Sequence, residues 1–169
     1  KPSFHMDASE DGHYDTISAL QKSIRGSDAN AALHYLARLL EAGDLDIIIR
    51  RLSVIVYEDI GLANPGLFPK AEAVFNAVER LGLPEARIPL SYLVIDMALS
   101  PKSNSAYLAL AKAMEDIEHG SVGTVPNHIH TNSPDYKYPH DYKNHYVLQQ
   151  YLPSNLKSKF RQVQNASAF

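Results

Sequence analysis

The feature that most limits what this chain can fold into is its punctuation. Between Tyr14 and Gly120 apolar residues recur at helical spacing, and run after run is closed by a glycine or a proline. Ile17, Leu20 and Ile24 share one face of a helix predicted over residues 14–25, with Lys22 and Arg25 in the last turn favouring its dipole, and Gly26 stops it. Ser27 is placed to cap a second helix over 28–42, whose stripe of Ala29, Ala32, Leu33, Leu36, Leu39 and Leu40 ends at Gly43. The two predict a tight helical hairpin.

Asp44 can cap a third helix over 45–60, in the segment LDIIIRRLSVIVYEDIG. Its isoleucines and valines alone would suit a strand, but its length and helical surroundings favour a helix. Apolar nearly all round except Arg50, Arg51, Glu58 and Asp59, it reads as a buried central helix. Asn64-Pro65-Gly66 breaks the chain, and Ala71, Val74, Phe75, Val78 and Leu81 then mark a fourth helix over 68–81, up to Gly82. Ile88, Leu93, Val94, Met97 and Ala98 mark a fifth over 86–99, which must end before Pro101 because proline disfavours the α conformation in its predecessor. Ser103 caps a sixth over 103–119, with Tyr107, Leu110, Ala111, Met114 and Ile117 expected inward and Gly120 closing it. Six helices, short links and no alternating strand pattern predict an all-α fold of helical hairpins. No fixed-period repeat supports a named solenoid.

At 169 residues, 45% apolar and 21% charged, the chain is long enough for one soluble domain with a sizeable core. It has no cysteine, which excludes disulfides, thiolate zinc sites and cysteine nucleophiles and fits a cytoplasmic location. No apolar run approaches the ~20 residues of a membrane span, and KPSFHMDASEDGH is too polar for a signal peptide, so no membrane partner is expected. There is no G-x-x-x-x-G-K-[ST] loop and no G-x-G-x-x-G, so ATP has no such cradle here. Ser154 and Lys157 match S-x-x-K without the rest of that constellation. No catalytic residue, cofactor site or metal site is assigned to the chain.

After Gly120 the periodicity is lost, and residues 121–169 read as an irregular arm with room for one short helix near its end. Its densest stretch, YKYPHDYKNHYVLQQYLP, holds Tyr136, Tyr138, Tyr142, Tyr146 and Tyr151. Tyrosine buries its ring while its hydroxyl stays solvated or bonded, so such an arm suits a helical surface or a subunit interface. Base stacking beside Lys137 and Lys143 is the competing use of the rings. Residues 134–169 carry five basic and two acidic side chains in a chain of net charge −3, so Lys137, Lys143, Lys157, Lys159 and Arg161 are the candidate phosphate contacts. His128 and His130 form an H-x-H pair, and His140 with Asp141 could add ligands, but tight sites need three or four ligands on rigid elements. Surface and hydrogen-bonding histidines are the favoured reading. Arg50 and Arg51 must find acidic partners, within the chain or across a subunit interface, or reach the surface. Glu58 and Asp59, adjacent on a helix, do not face one another and read as an ion-paired or solvated helix end rather than a catalytic pair.

Several stretches, in order, resemble one family: HYDTISALQKSIRGSD, AALHYLARLLEAG, RRLSVIVYEDIGLANP, PEARIPL, ALSPKSNSAY, VPNH, YKYPHDY and QQYLP. Together they are similar to the C-terminal region of the replication-associated recombination ATPases, the RarA or MgsA family, whose eukaryotic relative is the Werner helicase-interacting protein. The resemblance implies a fragment that follows a AAA+ core and lid, with residues 1–13 as the remnant of the connection and residues 14–169 as a collar-like helical domain. It implies assembly into homotetramers, with ATP, Mg and DNA-stimulated hydrolysis belonging to the full-length protein, alongside DNA and replication-fork partners and, in a bacterium, the nucleoid. Two departures stand out: only IHTNSPD separates VPNH from YKYPHDY, and Lys143, Asn144 and His145 stand where many members have Pro-Gly-Gly after HDY. The leading expectation is a non-catalytic oligomerisation domain. The rival is a DNA- or partner-docking module using the basic, tyrosine-rich tail.

Overall fold

The computed structural model describes residues 10–156. Expectations resting on residues 1–9 and 157–169, including those for Lys157, Lys159 and Arg161, lie outside the described residues. The described residues form six α-helices: α1 Glu10–Arg25, α2 Ala29–Ala42, α3 Leu45–Ile55, α4 Leu67–Leu81, α5 Arg87–Leu99 and α6 Ser105–Glu118. Among the described residues there is no β-strand, and the all-α expectation holds. The chain divides into two compact units, residues 1–107 and 108–169.

In the first unit α1 packs on α2, α3 and α5, while α5 also meets α2 and α4. Leu20 and Ile24 from α1, Leu36 and Leu39 from α2, Ile48 and Leu52 from α3 and Leu90, Leu93 and Met97 from α5 are buried in one core. Each such side chain contributes about 1.5–3 kcal/mol by leaving water. The third helix was expected to be buried and central; Ile48, Leu52 and Ile55 are buried, but α3 packs chiefly on α1 and α2, whereas α1 and α5 each meet three other helices. Val54 and Tyr57 are exposed, because Ile48, Leu52, Ile55 and Val56 already fill the buried side of their segment.

The helix ends show how the punctuation is read. Gly43 closes α2 in the left-handed region at φ 81°, and Asp44 caps α3 by accepting the Ile47 N–H at 3.1 Å. Between α1 and α2 the roles move by one residue. Ser27, not Gly26, adopts positive φ (60°), and Asp28 rather than Ser27 caps α2, accepting the Ala31 N–H at 2.9 Å. A carboxylate at this position also faces the positive end of the helix dipole. Glu10–His13 belong to α1 instead of a linker. At α6 the Ser103 hydroxyl accepts the Ser105 N–H at 3.3 Å, and Gly120 closes the other end at φ 87°.

The predicted third helix does not run regularly to residue 60. After Ile55 the backbone widens into a π turn, Val56–Ile60, and tightens into a 3-10 turn, Gly61–Ala63. The Asp59 carbonyl accepts the Ser103 N–H at 2.8 Å, pinning this turn to the α5–α6 link. Gly61, at φ 47°, is required there: a Cβ would lie 3.1 Å from the Ser103 carbonyl oxygen.

Candidate oligomer interface

α6 is turned inside out relative to its sequence pattern. Tyr107, Leu110, Met114 and Ile117 were expected inward, yet they are 54%, 64%, 56% and 56% exposed, and Ala111 is exposed as well. The covered side carries Ser105, Ala109, Ala113 and Asp116, small or polar residues at spacings of four, four and three. Periodicity identifies an apolar stripe but not whether the chain itself covers it. Here the stripe faces water in the single chain.

The rest of the second unit has the same character. From Leu108 to Leu156 only Asp116 and Leu156 are buried, while Leu108, Val122, Val125 and Leu148 are exposed. The five arm tyrosines, Tyr136, Tyr138, Tyr142, Tyr146 and Tyr151, are 42% to 68% exposed. What orders the arm is a set of side-chain bonds to the backbone. His128 Nε2 donates to the Gln150 carbonyl at 2.5 Å, and His130 Nε2 to that of Val125 at 2.9 Å. Gln149 bonds Lys137 on both sides, accepting its N–H at 3.2 Å and donating to its carbonyl at 2.8 Å. VPNH, YKYPHDY and QQYLP are thereby joined into one framework, with Gly123 so close to Pro153 and Asn155 that a Cβ would meet Pro153 Cβ at 2.5 Å.

The departure from Pro-Gly-Gly is also resolved locally. Asn144 and His145 take positive φ, 60° and 56°, so the turn keeps a left-handed backbone without glycine. Asparagine and histidine are among the side chains that tolerate this region best. His145 Nδ1 lies 3.1 Å from His140 Nδ1, a hydrogen bond in which one ring donates and the other accepts. Lys137 and Lys143 are both exposed beside the tyrosines.

The arginine pair splits. Arg50 is solvated, paired with Asp46 one turn earlier at 3.0 Å, whereas Arg51 Nη1 donates to Gln21 Oε1 at 3.0 Å. Gln21 in turn donates to Glu58 Oε2 at 2.7 Å and Asp59 Oδ2 at 3.1 Å, and Arg25 Nε donates to Asp59 Oδ1 at 2.7 Å. Arg25 Nη2 also lies 3.9 Å from Glu58 Oε1, so the expected ion-paired helix end is present, with Glu58 and Asp59 sharing both Gln21 and Arg25 across a π turn where a regular α-helix was assumed. Hydrogen bonding to Asp59 raises the pKa of Arg25 further, against the opposing effect of burial. Lys102 Nζ, bonded to Ser27 Oγ and the Ala98 and Ser100 carbonyls, has its pKa lowered by burial, with the charge of Asp59 acting in the opposite sense. This network ties α1 to α3 and to the π turn that follows it.

Sequence reasoning missed a second exposed apolar row, Ile88, Tyr92, Ile95 and Leu99 on α5. Ile88 marks the fifth helix in the sequence, where its exposure is not indicated. The signal was the composition of RIPLSYLVIDMAL, which is apolar around most of its circumference and therefore exceeds what one buried face requires.

The described residues thus define an all-α helical domain with apolar surface exposed on its last helix and arm. The sequence model described as MgsA AAA+ ATPase C terminal matches residues 26–168, and the chain belongs to this family. It is similar to Replication-associated recombination protein A of Bacillus subtilis, 57% identical over 169 residues, covering 94% of this chain and 40% of that protein. The protein of the same name from Haemophilus influenzae is 36% identical over 165 residues, 90% of this chain and 37% of that one. ATPase WRNIP1 of Dictyostelium discoideum is 36% identical over 172 residues, 94% of this chain and 20% of the relative. The chain therefore spans about two fifths or less of the length of these relatives.

Proposed function

We propose that this chain is the homo-oligomerisation domain of a AAA+ ATPase of replication-associated recombination, and that it has no catalytic role of its own. One observation supports this above the others: α6 turns its apolar face outward and the arm behind it buries almost nothing. Ordering a residue costs about 1–2 kcal/mol of backbone entropy, and contiguous exposed apolar surface marks an interface on soluble proteins. A second copy of the chain is the natural cover. Tyr136, Tyr138, Tyr142, Tyr146 and Tyr151 then serve as amphipathic contacts, with Arg50 free to exchange its exposed Asp46 partner for one across the interface.

Four copies in a closed arrangement is the assembly the family resemblance implies. ATP, Mg, DNA and replication-fork partners belong on this reading to the longer protein, acting in the cytoplasm or at the nucleoid. Among the described residues no helix is long and apolar enough to cross a membrane. Sedimentation velocity of the fragment at micromolar concentration tests the proposal. A tetramer-sized species is expected, and a monomer across the micromolar range would refute it.

A further inference from the structure

The first unit carries its own exposed seam, on the side of α5 opposite the core. Ile88, Tyr92, Ile95 and Leu99 are 72%, 56%, 37% and 69% exposed, while Leu90, Leu93, Val94 and Met97 are fully buried. The exposed four are spaced by four, three and four residues, a mean of about 3.7 that stays close to the 3.6 of a helical turn, so they form one nearly straight stripe along the helix. This spacing reads the same from either end. Two such helices set antiparallel about a two-fold axis between Tyr92 and Ile95 would place Ile88 of one copy by Leu99 of the other, and Tyr92 by Ile95.

The charges at the seam favour its own copy. Beside it lies a groove of about 280 Å³ between α4 and α5, lined by Tyr92, Ile95 and Leu99 and by two charged residues, Lys70 and Asp96, paired at 3.4 Å. With one charge of each sign, the face meets itself without net repulsion, and the lysine and aspartate can exchange partners across the axis. We propose that the α5 seam is an isologous contact with α5 of a second copy, separate from the surface formed by α6 and the arm. This rests on the oligomerisation reading and deepens it: a dihedral tetramer requires two different two-fold contacts, whereas a single head-to-tail contact would close a ring.

The absence of cysteine permits a direct test. At a two-fold contact one introduced cysteine lies near itself, so Ile95→Cys treated with a short bismaleimide should give a covalent dimer, and Glu79→Cys on α4 should not. Ile95→Glu should raise the dissociation constant of this contact at least about a hundredfold and reduce the sedimenting species to half size. Ile95 is outside the core, so circular dichroism should be unchanged. No cross-link and an unchanged mass in an assembled protein would overturn self-pairing while leaving oligomerisation standing. A monomeric parent protein would remove both. Cross-linking of Ile95→Cys only when mixed with Leu110→Cys would overturn self-pairing by assigning α6 as the occupant.

Discussion

Replacing Leu110, Met114 and Ile117 together by glutamine separates assembly from folding. These side chains are 64%, 56% and 56% exposed in the single chain. Fully burying such a side chain contributes about 1.5–3 kcal/mol, so covering the exposed part of each contributes about 1–2 kcal/mol. The three together come to about 4 kcal/mol per copy, a factor of roughly a thousand in association. Glutamine forms helix nearly as well as leucine and methionine, so α6 should persist. Since the same atoms face water in the folded monomer, its unfolding free energy should change by no more than about 0.5 kcal/mol. Sedimentation velocity over a hundredfold concentration range reads the first effect, and urea unfolding of the dilute monomer reads the second. Unchanged mass would show that α6 is not at the interface. A monomer destabilised by several kcal/mol would show that these residues are core.

Asp59→Ala removes the acceptor of Arg25 and Gln21; because Arg25 is 48% exposed and regains water, the expected loss is about 2 kcal/mol instead of the 3–5 of a fully buried pair. A urea midpoint unchanged within error would contradict this account of the network. Asn144→Gly relieves a left-handed backbone that costs a non-glycine residue roughly 1 kcal/mol, and should slow amide exchange across residues 136–151. His145→Gly relieves similar strain but loses the bond to His140, so its gain should be smaller; equal gains would assign that bond no weight. Lys102 should titrate below the ordinary lysine value of 10.5, because burial disfavours its charged form. The resulting penalty on folding is present below the folded pKa and fades as pH rises through that value to 10.5, so stability from this group increases over that interval. NMR of its ε-methylene gives the midpoint, which Asp59→Ala should lower further.

The helices were legible because each depends on local chemistry. Gly43 with Asp44, the Asn64-Pro65-Gly66 break and Pro101 act within a few residues of themselves, and all three mark real boundaries. The shift from Ser27 to Asp28 is the same chemistry decided by one residue's backbone. What the sequence did not reveal was direction. Ile88 and Met114 each belong to a regular apolar pattern, yet both face water, because α5 and α6 carry more apolar circumference than one chain covers. The motifs of the arm were visible as resemblance alone. Their connection depends on Gln149 reaching the backbone of Lys137 and His128 reaching Gln150, contacts over 12 and 22 residues that no periodicity encodes.

The π turn at Val56–Ile60 holds, in effect, one residue more than a regular helix would use. Removing a single residue there would restore an unbroken helix and improve local geometry, but it would rotate everything downstream by about a quarter turn. Glu58 and Asp59 would swing away from Gln21 and Arg25, and Gly61 would no longer meet the Ser103 carbonyl where a side chain cannot fit. The extra residue therefore acts as a phase shifter, setting the angular position of the α5–α6 link relative to α1. A deletion that leaves the helix content intact could still abolish the fold, so insertion and deletion tolerance at these five residues should be the lowest in the first unit.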